Sequence, residues 1–117
     1  DYDGSVFALV EAPDTRTVVA VGLRGNAFRL PFGSSQWESV STNLRETFSG
    51  ATVLNDGSVV VVGSRGILAR STDDFRSIQV TRRSDKLPSA SVVQLNDQEI
   101  LLAGMRGFKT LSLSEFK

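Results

Sequence analysis

Three apolar runs punctuate the chain at even intervals: Val18-Val19-Ala20-Val21, Val59-Val60-Val61-Val62 and Ile100-Leu101-Leu102-Ala103. Each is followed at once by the turn G-x-R-G, as Gly22-Leu23-Arg24-Gly25, Gly63-Ser64-Arg65-Gly66 and Gly104-Met105-Arg106-Gly107. The first glycines of these turns stand 41 residues apart in both intervals. An unbroken apolar run bounded by turn residues predicts a strand buried on both faces. Flanking segments rich in β-formers complete the pattern. It predicts strands over 5–11, 17–21, 26–30 and 36–41, then 48–54, 58–62, 67–70 and 78–82, then 89–95, 99–103 and 108–113. Pro13 with Asp14, Asn55-Asp56-Gly57 and Asn96-Asp97-Gln98 supply turn chemistry between first and second strands. No segment predicts a helix.

A fixed period of about 40–45 residues built of short strands is the signature of β-propeller blades. The expectation is an all-β chain of propeller blades, each of antiparallel strands. Its repeats run over residues 5–45, 46–86 and 87–117, two full blades and a third lacking its outer strand. Propellers close with about 4–8 blades. The chain is therefore expected to be a part of a larger ring, or a short chain that completes one by self-association.

Composition narrows the chemistry more than the fold. With 40% hydrophobic and 22% charged residues over 117 positions, the chain has the make-up of one folded domain rather than a disordered one. It has no cysteine, so disulfides and thiolate metal sites are excluded, and no histidine, the commonest general base and metal ligand. No cofactor or metal is expected. No stretch approaches the ~20 apolar residues of a transmembrane helix, and no signal-peptide pattern is present. Thirteen basic residues balance thirteen acidic ones, which argues against a nucleic-acid role.

That balance hides a polarity. In a propeller blade, turns between second and third strands share one face with the inter-blade connections. This face receives Arg24, Arg45, Arg65, Arg82, Arg83, Lys86 and Arg106 against Glu46 and Asp85. The opposite face receives Asp14, Asp56, Asp73, Asp74, Asp97 and Glu99 against Arg16 and Arg76. A basic face and an acidic face on one neutral chain would orient a partner.

The stretch Val61-Val62-Gly63-Ser64-Arg65-Gly66-Ile67-Leu68-Ala69-Arg70-Ser71-Thr72-Asp73 resembles the repeat of photosystem II stability/assembly-factor-like propellers. These belong to the wider group of bacterial-neuraminidase, or Asp-box, repeat proteins, whose pattern is S-x-D-x-G-x-[ST]-W. Ser71, Asp73 and Ser77 match it, while Phe75 stands at the glycine and Ile78 at the tryptophan. One period earlier Trp37 supplies the tryptophan, with Leu30 and Phe32 in place of the Ser and Asp. The resemblance implies a non-catalytic, extracytoplasmic propeller (periplasm or lumen) whose arginine-rich face holds a client membrane-protein subunit during assembly.

Each candidate residue has two readings. Arg24, Arg65 and Arg106 recur at equivalent positions and, with Arg45, Arg82 and Arg83, form the expected partner-binding set; guanidinium groups pair two-pronged with carboxylates. Alternatively each arginine bonds a carbonyl or acid of the adjacent blade. Ser71 and Asp73 are read as a structural turn, as are Gly22, Gly25, Gly63, Gly66, Gly104 and Gly107, whose glycines are available for positive φ. A sialidase-like glycoside hydrolase is the alternative function. It would require a tyrosine nucleophile, and the only tyrosine is Tyr2. Trp37 and the phenylalanines are expected to pack between blades. A purely architectural segment, whose important surface is the blade-to-blade interface, is the third reading.

Overall fold

The computed structural model describes residues 4–116. Among them are three antiparallel sheets and no α-helix. The first sheet holds β1 (Val6–Glu11), β2 (Val18–Gly22), β3 (Ala27–Leu30) and β4 (Glu38–Ser39) in that spatial order. The second repeats the order with β5 (Phe48–Val53), β6 (Val59–Gly63), β7 (Ile67–Ser71) and β8 (Gln79–Arg82). In the third, β10 (Glu99–Gly104) lies between β9 (Ser89–Asn96) and β11 (Gly107–Ser112).

The observed strands follow those predicted closely, with one exception. The strand expected over 36–41 forms only at Glu38–Ser39, pairing Arg29 with Glu38 and Phe28 with Ser39. Pro31–Ser35 takes up the preceding stretch as a turn, closed by Ser34 N–H on the Pro31 carbonyl at 3.0 Å. Its Ser and Gln residues are exposed, so little burial rewards a longer strand there.

The second sheet is stacked between the other two. Val59 and Val61 of β6 join a core with Val19, Val21 and Ala27 of the first sheet. Val60 and Val62, pointing the other way, join a second core with Ile100, Leu102 and Val92 of the third. All four valines are at most 2% exposed, as a run buried on both faces requires. The same reading overestimates β10, whose Leu101 and Ala103 are only half-buried; in β2 Val18 alone is half-buried, and Ala20 on the same face is 4% exposed.

This asymmetry also corrects the aromatic expectation. Phe48, Phe75 and Phe116 pack between sheets, but Trp37, Phe7, Phe32 and Phe108 are exposed. Phe32 receives the guanidinium of Arg16 over its ring, 4.4 Å from the centroid.

The glycines of the G-x-R-G turns divide their labour. Gly63 has an extended backbone; a Cβ there would collide with the Thr47 carbonyl of β5's approach, so its role is close contact. Gly66 has the expected positive φ, +78°. The unexpected member is the arginine: Arg24, Arg65 and Arg106 have φ of 54°, 53° and 67°, in the left-handed region that disfavours side chains with a Cβ.

Candidate functional site

The turns after β2 and β6 each contain one 3-10 turn, Leu23–Gly25 and Ser64–Gly66. In both, the second glycine's carbonyl is captured by the segment leading to the next sheet. Thr42 Oγ1 donates to Gly25 O at 2.8 Å, and Arg83 N–H donates to Gly66 O at 2.9 Å. A Cβ at the equivalent Gly107 would meet nothing within 4 Å, and the third turn tightens so that Gly104 pairs directly with Gly107. Further bonds tie the first turn to the second. Arg24 N–H donates to Thr47 Oγ1 at 3.2 Å, and Thr47 N–H donates to Ser64 Oγ at 2.9 Å.

These bonds use backbone and hydroxyl groups and leave the guanidinium groups outside. Arg24, Arg45, Arg65 and Arg82 line one cleft of about 660 Å³ together with Thr47 and Ser64. Arg82 is partly neutralised by Glu46, Nη2 to Oε2 at 2.9 Å, and this bond holds the Glu46 carboxyl below its ordinary value. The side chains of Arg24, Arg45 and Arg65 have no hydrogen-bond or ion-pair partner among the described residues. The second reading of these arginines, a bond to a carbonyl or acid of the adjacent sheet, is therefore not what the turns display. Arg106 occupies the same place in the third turn, exposed, and does not line the cleft.

Arg83 departs from the expected partner-binding set. It is buried, with Nε and Nη2 on both oxygens of Asp85 at 2.9 and 2.7 Å and Nη1 on Ser89 Oγ at 3.2 Å. Just after β8, it turns inward against Ser89 of β9 and fastens the second sheet to the third.

The acidic end is chemically quieter. A second cleft of about 440 Å³ is lined by Asp14, Asp56, Asp73, Asp74 and Arg76, among others. Asp56 holds Arg70 at 2.8 Å. Asp73 closes its own turn: Ser71 Oγ, Arg76 N–H and Ser77 N–H donate to its Oδ1 at 2.8, 3.1 and 3.0 Å, and Ser77 Oγ donates to its Oδ2. Partial burial opposes its charge, but these donors outweigh that and lower its pKa to about 2. Phe75, standing where the Asp-box has glycine, keeps a glycine-like φ of 63° and buries its ring in the core.

Asp74 was legible only as surface charge, and Arg29 was not singled out at all. Together they bridge two sheets. Arg29 of β3 is 4% exposed and sends Nη2 to Asp74 Oδ2 at 2.7 Å, Nε to Asp74 O at 2.9 Å and Nη1 to Glu38 at 2.6 Å. Thr15 and Thr17 hydroxyls donate to the two Asp74 oxygens, each at 2.7 Å. Burial works against both charges; for Arg29 the bonds to Glu38 and Asp74 overcome it and raise its pKa. For Asp74 the bonds from Thr15, Thr17 and Arg29 overcome it and lower its pKa. The available signal was periodic: Arg70, 41 residues on, also binds an acid.

Compared with known proteins, the chain matches no family model and no curated sequence. What the site can do must follow from its own chemistry. Among the described residues no group of three or more His, Cys, Asp or Glu side chains is placed to hold a metal ion, and no helix is long and apolar enough to cross a membrane. Tyr2, the tyrosine a sialidase-like reading would require, lies outside the described residues.

Proposed function

We propose that this chain is a propeller segment that binds protein, its arginine-lined end receiving an acidic segment of a client. The observation that carries this reading is the state of Arg24, Arg45 and Arg65: exposed, unpaired and gathered around one cleft. Two of them also sit in a backbone conformation that glycine adopts at lower cost. A backbone outlier of this kind, retained at equivalent turns, is motivated by what the side chain does. Thr47 and Ser64 add hydroxyls beside the guanidinium groups, and Arg pairs with carboxylates in two-pronged fashion. The acidic end offers fewer handles, since Asp56, Asp73 and Asp74 are already bound within the fold and only Asp14 of its lining acids has no partner among the described residues.

Three stacked antiparallel sheets in chain order, with equivalent turns at one end, support reading the sheets as propeller blades. The repeat resembling photosystem II assembly-factor propellers points the same way and suggests a membrane-protein subunit, met outside the cytoplasm, as client. A glycoside hydrolase works with a pair of available carboxylates; among the described residues Asp56, Asp73 and Asp74 are engaged with Arg70, their own turn and Arg29, so it is the weaker reading.

The test is fluorescence anisotropy with a labelled peptide rich in Glu and Asp. The triple variant Arg24→Glu, Arg65→Glu, Arg106→Glu is expected to weaken capture by on the order of tenfold or more while the far-ultraviolet spectrum stays unchanged. Equal binding by the folded variant overturns the proposal. Turnover of a sialoside by the wild-type chain would favour the enzyme reading instead.

A further inference from the structure

The arginine cleft lies where the turn of the first sheet meets the turn of the second, and the next junction repeats its cations. One 41-residue period on from Arg24, Arg45 and Arg65 stand Arg65, Lys86 and Arg106. The fold keeps that correspondence in space. Thr42 and Arg83, one period apart, each bind the carbonyl of the second glycine in the preceding turn. The Thr47 carbonyl lies against Gly63, and its counterpart on Pro88 lies 2.8 Å from where a Cβ on Gly104 would stand. Lys86 adjoins the second turn, its Cα 3.0 Å from the Cβ position of Gly66. Arg65, Lys86 and Arg106 are thus carried by segments that meet where the second sheet joins the third.

All three are exposed, and their side chains have no hydrogen-bond or ion-pair partner among the described residues. All three also have left-handed backbone, with φ of 53°, 59° and 67°. Long cationic side chains kept at positions that glycine would fill at lower cost point to work done by the side chain. Their neighbours differ from those of the first cleft. Leu87 stands in the place of Glu46, and the nearby acid, Asp85, is held by Arg83. Pro88 and Met105 stand in the places of Thr47 and Ser64, with Met105 62% exposed. The two junctions share a pattern of three cations, Arg65 common to both. Hydroxyl groups accompany it at the first and apolar groups at the second.

We propose that the second junction is a second subsite for the same client segment, receiving an acidic residue with an apolar side chain beside it. This rests on the reading of the first cleft as a site for an acidic segment. Arg65, Lys86 and Arg106 would meet the carboxylate, while Leu87, Pro88 and the adaptable Met105 would meet the apolar neighbour. Two subsites on one rigid end favour a segment long enough to reach both, because the second contact is then intramolecular.

Fluorescence anisotropy with two labelled peptides tests it. One is a short run of Glu and Asp; the other continues that run through a leucine into a second acidic run. Lys86→Gln and Met105→Ser change exposed positions outside the first cleft, with the fold checked by circular dichroism. Wild type is expected to hold the longer peptide more tightly. Lys86→Gln is expected to weaken the longer peptide roughly fivefold, the scale of one exposed ion pair, and to leave the short one unchanged. Met105→Ser is expected to abolish the preference for leucine over serine at the central place of the longer peptide. Equal binding of the two peptides by wild type overturns the second subsite and leaves the first standing, as does a Lys86→Gln variant that binds both as wild type does. A leucine preference that survives Met105→Ser overturns the apolar half of the proposal. Failure of wild type to bind either peptide overturns the reading of the first cleft, and this inference with it.

Discussion

Arg65 shows how much a single backbone angle says about a side chain. Its φ of 53° costs an L-residue energy that glycine avoids. Arg65→Gly is therefore expected to stabilise the fold by about 1 kcal/mol, read by urea denaturation, while weakening capture of an acidic peptide. Lower stability of the variant would mean that the guanidinium or its stem supports the turn. Asp73 makes a pH prediction of opposite character. Its carboxyl is lowered from 3.8 to about 2, so its charged form is favoured by folding. Its contribution is complete above pH 3.8 and drains away as pH falls toward about 2. An Asp73→Asn variant should lose stability at neutral pH and show a flatter acid limb in that window; parallel pH curves for variant and wild type would contradict this.

Among the elements, the decisive tie is between β3 and the turn after β7. Arg29 is buried with its fork on Asp74 and Glu38, and no buried side-chain polar atom in the described residues lacks a partner. Removing one member of a buried pair leaves the other uncompensated. Arg29→Ala is expected to cost about 3 kcal/mol in urea unfolding, and a double-mutant cycle with Asp74→Ala should show strong coupling. Additive losses would mean the two side chains act apart. Arg82 and Glu46, on an exposed part of the cleft, should matter far less to stability, as surface pairs do. At this scale the turns also separate by context. The first two G-x-R-G turns keep a 3-10 turn because the next segment binds their second glycine, whereas the third, lacking that brace, closes as a tight hairpin.

For the whole molecule, zero net charge conceals an uneven availability of charge. At one end Asp56, Asp73 and Asp74 are bound by Arg70, their own turn and Arg29, while at the other the guanidinium groups of Arg24, Arg45 and Arg65 have no partner among the described residues. Binding of an acidic peptide should weaken as salt rises from low to physiological ionic strength, since exposed charges are screened. Salt-independent capture would shift the weight to the apolar sheet faces. The strands and their order were legible in the sequence, because alternation, unbroken valine runs and turn residues act over a few neighbours, and a 41-residue period repeats the message. Of the arginines that the period marks, Arg24 and Arg65 line the cleft and Arg106 does not. What the chain alone left open was which faces gain a neighbour. Stacking decided that β6 is buried on both sides while β10 is not, that Phe75 is core and Phe108 is surface, and that Arg83 turns inward while Arg65 stays exposed. Local pattern dictates a strand; burial and pairing depend on residues some forty positions away, brought into contact only when the sheets pack.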